Sequence, residues 1–138
     1  NPKNPIVIHA GTHGYLYHGC YTETTNIANS TNKRALDGGT NTVLPDTMTV
    51  EKCLGFCNKY KFAGLEYSRE CWCAQGLSGL SSKVDDKECD TPCDGNSTQA
   101  CGGALRLTVY ITSAAALEKV PLLLSLGVVG VTVLGSVF

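Results

Sequence analysis

Eight cysteines in a chain of 138 residues constrain the fold more than any other feature of the sequence. Their even number and high density point to four disulfides rather than free thiols, and so to an oxidising compartment outside the cytosol. A domain this small buries too little apolar surface to offset chain entropy comfortably, and cross-links worth about 2 to 4 kcal/mol each would supply the difference. Zinc is the rival reading. The spacings CxxxC, CxC and CxxxC, with the histidines far upstream, are not those of zinc knuckles, so no metal is expected.

The cysteines are densest between residues 53 and 73. Val50, Cys53, Leu54 and Cys57 recur at helical spacing, which predicts a helix over about 50–60, with Thr49 as its N-cap and Lys52 where a capping box would carry Glu. On that helix Cys53 and Cys57 leave one face about 6 Å apart. On a strand Cys71 and Cys73 also share a face, separated by two rises of about 3.3 Å. Two bridges can therefore staple helix to strand. With one reversal over residues 58–70, an antiparallel approach is expected, pairing Cys57 with Cys71 and Cys53 with Cys73. Cys89 and Cys93 flank the turn-forming Pro92 closely enough for a local disulfide, which leaves Cys20 for Cys101.

The strand period also turns Trp72 away from its flanking cysteines. A two-residue turn at Ser68 and Arg69 would set Tyr67 opposite Glu70 and Leu65 opposite Trp72; a straight strand would instead set Glu66, Ser68 and Glu70 beside Trp72. Either way an aromatic ring lies beside polar groups on a face that disulfides make rigid. Trp72, Tyr67, Glu66, Arg69 and Glu70 are thus the candidate ligand-binding residues, with a face carrying Tyr21 and Tyr110 as the fallback. No catalytic residue is expected. Glu66 and Glu70 could be imagined as a glycosidase pair, but one small hairpin supplies no cleft, and no His, Ser or metal constellation accompanies them.

The rest of the chain frames this centre. With 11 basic and 12 acidic residues the net charge is −1, which gives nucleic-acid binding no support. His9, His13 and His18 stand in a segment without a regular frame and are assigned no role. No signal peptide is recognisable in residues 1–13, so the chain is expected to be a fragment or a processed form. Tyr21 and Thr22 suit the start of a short strand, and residues 23–42 read as a long exposed loop anchored only around Arg34, Ala35 and Leu36. The sequons at Asn29 and Asn96 are candidate glycosylation sites. Residues 74–88 read as a loop with Leu77 and Leu80 as apolar anchors, and 105–111 as the final strand.

Residues 120–138 carry no charge; from Leu122 they would span about 26 Å as a helix, short of a hydrocarbon core of about 30 Å. Small residues precede them and no basic residue follows, the pattern of a glycosylphosphatidylinositol anchor signal, with Ser113 or Ala114 as the attachment point; a membrane span is the alternative.

GCYT at 19–22, MTVEKC at 48–53, CLGFC at 53–57, FAGLEYSRECWC at 62–73, CDTPCDGNST at 89–98 and CGGALRLTVY at 101–110 closely resemble the WSC domain, with all eight cysteines in order. The resemblance implies a small α+β fold similar to PAN/apple domains, a short antiparallel sheet packed on one helix, extending over 15–111 between an N-terminal segment or linker, 1–14, and the tail, 112–138. It also implies an extracellular module that binds fungal cell-wall polysaccharide, with β-glucan favoured; sugar rings stack their apolar C–H faces on flat aromatics and their hydroxyls need carboxylate, amide or guanidinium partners, which the five candidate residues supply. No enzymatic activity or cofactor is expected, and the module is expected to be a monomer held at the cell surface by its tail. A protein-interaction or structural wall module, or an appendage of a secreted enzyme, is the alternative. The sequence departs from the family pattern in a longer loop over 23–33, in Ser68 where Gly is usual, and in the small Ala100.

Overall fold

The computed structural model describes residues 5–113, so the tail sequence and the anchor signal read from it lie outside the described residues beyond Ser113. Among the described residues eight strands and one α-helix follow in the order β1 (Tyr15–Thr22), β2 (Thr40–Val43), α1 (Val50–Phe56), β3 (Phe62–Glu66), β4 (Glu70–Ala74), β5 (Lys83–Val84), β6 (Pro92–Cys93), β7 (Asn96–Ala100) and β8 (Arg106–Thr112), with a 3-10 turn at Asp86–Cys89. Six strands form one antiparallel sheet in the order β2-β4-β3-β8-β1-β5, and β6 pairs with β7 apart from it. With one helix and four disulfides this is the expected small disulfide-rich α+β fold.

The helix forms where its period and cap require. The Thr49 side chain accepts from the Lys52 N–H at 3.1 Å, and Val50, Cys53 and Leu54 turn inward. It is shorter than the expected 50–60, and residues 57–60 leave it as a turn. The Tyr15 hydroxyl closes this end, 2.5 Å from the carbonyl of Cys57 and 2.6 Å from that of Tyr60. Burial, opposed by the hydrogen bond to the Tyr60 carbonyl, pushes that phenol up to about 12, so it stays a donor. At the other end Gln99 ties helix to β7, accepting from the Val50 N–H at 2.9 Å and donating to Glu51 at 2.8 Å.

All four expected disulfide pairings are corrected. The bonds are Cys20–Cys89, Cys53–Cys71, Cys57–Cys73 and Cys93–Cys101. The stapling of α1 to β4 is as expected, but its direction is the opposite. Residues 58–70 hold two reversals, because β3 runs back along the sheet before a hairpin returns the chain as β4. Helix and β4 therefore run the same way, and the first cysteine of each pair meets the first of the other. Cys20 finds Cys89 because β5 pairs with β1, Cys20 opposite Val84, and delivers the 3-10 turn beside it. Cys93 then lies in extended backbone and bonds across the β6–β7 hairpin to Cys101.

A second difference concerns the sheet's far face. Ala35 and Leu36 are the apolar anchor expected within residues 23–42, buried against Phe62, Ala74, Leu107 and Val109, but the stretch is not a loop throughout, because residues 40–43 pair as the edge strand β2. Gly64 makes the room, since a Cβ at that position would stand 2.8 Å from the Leu36 side chain. The sheet thus has a core on each face, one under the helix and the disulfides, one under the segment after β1. A bulge at His18 and Gly19 switches β1 between them, so Tyr15 and Tyr17 pack on the helix side and Tyr21 on the other. Tyr110 is fully buried on the helix side, so the fallback face shared by Tyr21 and Tyr110 does not exist.

Candidate functional site

Trp72 stands on the sheet face opposite the helix, as its place between two bonded cysteines dictates. The hairpin register differs from a two-residue turn. Glu66 pairs with Glu70 and Gly64 with Trp72, which leaves Tyr67, Ser68 and Arg69 as a three-residue loop with positive φ at Tyr67 (54°) and Ser68 (73°). Glu66, Glu70 and Trp72 therefore share a face, the arrangement a straight strand would give. The indole N–H donates to Glu70 at 3.1 Å.

Trp72 is half-buried because the segment after β1 partly covers it. The Arg34 guanidinium lies 4.0 Å from the ring centroid, a cation–π contact. The buried carboxylate of Glu23 holds that guanidinium, accepting from Arg34 Nη1 at 3.2 Å, while the buried Glu66 Oε1 lies 3.6 Å from the same nitrogen, beyond hydrogen-bond distance. Glu23, 2 % exposed, also accepts from the backbone N–H groups of Thr24 at 2.8 Å and Ala35 at 2.6 Å, so it anchors the whole covering segment. Glu66, 4 % exposed, is pushed up to about 9 by burial first and then by the neighbouring carboxylates of Glu23 and Glu70, with Arg34 opposing. At neutral pH it is protonated, and Glu23 with Arg34 forms the charged pair. Beside the indole a cleft of about 190 Å³ opens between Arg34, Asp37, Asn41 and Trp72.

Of the residues singled out from sequence, Trp72, Glu66 and Glu70 come together here, Glu66 beneath the surface and Glu70 at the indole edge. Tyr67 is 56 % exposed at the hairpin tip, and Arg69 pairs with Asp94 at 3.2 Å; neither lines the cleft. Arg34, Glu23, Asp37 and Asn41 were not singled out, although Arg34 before Ala35-Leu36 was the one break in a polar loop. Asn29 is exposed, whereas Asn96 is half-buried with its side-chain oxygen accepting from Thr98 at 3.0 and 2.7 Å. Ser113 continues from β8, its N–H donating to Gly14 at 2.8 Å. The sulfurs of Cys53, Cys57 and Cys71 lie within 4.8 Å of one another, but each is bound in a disulfide. Among the described residues no helix is long and apolar enough to cross a membrane.

The WSC domain family model matches residues 17–103. A WSC domain-containing protein of Arthroderma benhamiae is 35 % identical over 96 residues, 70 % of this chain and 12 % of its own length. A Chaetomium globosum protein named for a fungistatic metabolite is 45 % identical over 96 residues, 68 % of this chain and 40 % of its own. The xylosyltransferase oxt of Drosophila melanogaster is 38 % identical over 66 residues, 46 % of this chain and 8 % of its own. The chain thus spans less than half the length of each of these relatives.

Proposed function

The chain belongs to the WSC domain family, and from that premise we propose that it is a non-catalytic, monomeric module that binds cell-wall polysaccharide, β-glucan foremost, at the cell surface. The observation that carries this reading is the stack of Arg34 on Trp72, fixed by the buried carboxylate of Glu23. A guanidinium already paid for in conformational entropy offers its remaining N–H groups to sugar hydroxyls next to an aromatic surface, with Asp37 and Asn41 across the cleft as acceptor and amide. Burial of Glu66 speaks against a glycosidase role, because a carboxyl group shut beneath Arg34 cannot reach a glycosidic oxygen. Residues 114–138 would supply attachment to the membrane, through a lipid anchor near Ser113 or as a span.

Sedimentation with insoluble glucan, chitin and mannan, with an unrelated protein as control, tests the reading. The domain should pellet with glucan, and Trp72→Ala and Arg34→Ala should each weaken retention by about tenfold, the equivalent of about 1.4 kcal/mol. Retention of both variants at the parental level would remove this cleft from the binding site. Glucan incubated with the domain should release no reducing sugar.

A further inference from the structure

The Trp72 cleft shares two lining residues, Arg34 and Asp37, with a second space. This larger cavity, of about 430 Å³, lies between the segment after β1 and residues 76–80. Its volume falls within the range of about 300 to 1,000 Å³ typical of small-ligand sites. Lys33, Asp37 and Ser78 provide a cation, a carboxylate and a hydroxyl, while Leu77 and Leu80 provide apolar surface, Leu80 being 42 % exposed. Hydrogen bonds hold the walls in place. The Ser78 N–H donates to the Ala35 carbonyl at 2.9 Å and joins the two segments, the Thr24 hydroxyl donates to the Lys33 carbonyl at 2.6 Å, and Glu23 fixes the Ala35 N–H.

We propose that this cavity is a second sugar subsite, contiguous with the Trp72 cleft across Arg34, so that the domain takes an extended stretch of polysaccharide rather than one residue. The inference rests on the reading of the Trp72 cleft given above. A sugar seated here lays a C–H face on Leu77 and Leu80 and turns its hydroxyls to Lys33, Asp37 and Ser78. Arg34, shared by both spaces, then contacts two successive residues of the polymer. Asn29 lines the same cavity, so an N-glycan there would compete for the space.

The test is calorimetric titration, on protein made without N-glycans, with β-linked gluco-oligosaccharides from disaccharide to hexasaccharide. The parent should gain affinity with length. A Lys33→Ala/Leu80→Ser variant, altered only at exposed positions, should bind the shortest active ligand as the parent does and lose about tenfold for the longest. Trp72→Ala should weaken every length. Parental affinity of the double variant at all lengths, with Trp72→Ala still weakened, would overturn the second subsite alone. An unaffected Trp72→Ala, or a parent that binds no length, would overturn the Trp72 reading and this inference with it.

Discussion

Glu66 shows how one buried group can tie stability to pH. Its carboxyl has a folded pKa raised to about 9 from the ordinary 4.5, so the folded protein keeps a proton that the unfolded chain releases above about pH 4.5. The stability this proton provides is fully present below the unfolded value and is lost as pH rises through about 9. Glu23, Glu70 and Arg34 face the same carboxyl, and only Arg34 works in the other direction. Glu66→Gln keeps the shape without the titration, so its melting temperature relative to the parent should rise between pH 5 and pH 9, by several degrees at the alkaline end. A variant equally destabilised at both pH values would mean that Glu66 is ionised and paired with Arg34. At the same scale, Ser68 occupies the left-handed region with φ of 73°, where a side chain costs roughly 1 to 2 kcal/mol and glycine nothing. After the greater unfolded-state entropy of glycine is subtracted, Ser68→Gly should stabilise by about 0.5 to 1 kcal/mol, seen as an upward shift of a few degrees in thermal unfolding. No shift would show that the hairpin relaxes around serine without strain.

Between elements, what could be read from sequence followed periodicity, and what could not depended on how often the chain turns. The amphipathic stripe and the Thr49 cap specify α1, and the CxC spacing specifies that Trp72 faces away from it; both are local and both are present. The disulfide pairing depends on the parity of reversals between Cys57 and Cys71. Phe62–Glu66 was recognised only as the near arm of a hairpin, without the consequence that it returns β4 to the helix's own direction. Non-reducing peptide mapping should accordingly join Cys53 to Cys71 and Cys57 to Cys73, and a crossed pair would restore the antiparallel docking. In residues 23–42 the anchor at Ala35 and Leu36 is legible, but the burial of Glu23 and the strand at 40–43 are not, because the stretch is polar almost throughout. Only Ala35 and Leu36 enter the core, and the charged residues that flank or precede them, Arg34 and Glu23, are buried or half-buried through one another rather than through any periodic pattern. The candidate site was legible in its β3–β4 half and not in the half contributed by this segment, because a long-range carboxylate–guanidinium–indole stack leaves no local signature.

For the whole molecule, one sheet with a core on each face is cross-linked by bonds of very different reach. Cys20–Cys89 spans a sequence separation of 69, Cys53–Cys71 of 18, Cys57–Cys73 of 16 and Cys93–Cys101 of 8. If the bridges act mainly by restricting the unfolded chain, their contributions follow the logarithm of the loop closed: about 4 kcal/mol for the longest and about 2.5 kcal/mol for the shortest. The two staples lie inside the long loop and shorten it, but a logarithm hardly registers some twenty residues. Cys20–Cys89 also joins β1, next to the strand that carries the far core, to the turn before β6, so its loss frees more chain than any other. Replacing each bonded pair by alanines and measuring denaturant unfolding should place the Cys20/Cys89 variant as the least stable and the Cys93/Cys101 variant as the most. An inverted order would show that packing of the buried sulfurs within the helix-side core, rather than chain restriction, carries the stabilisation.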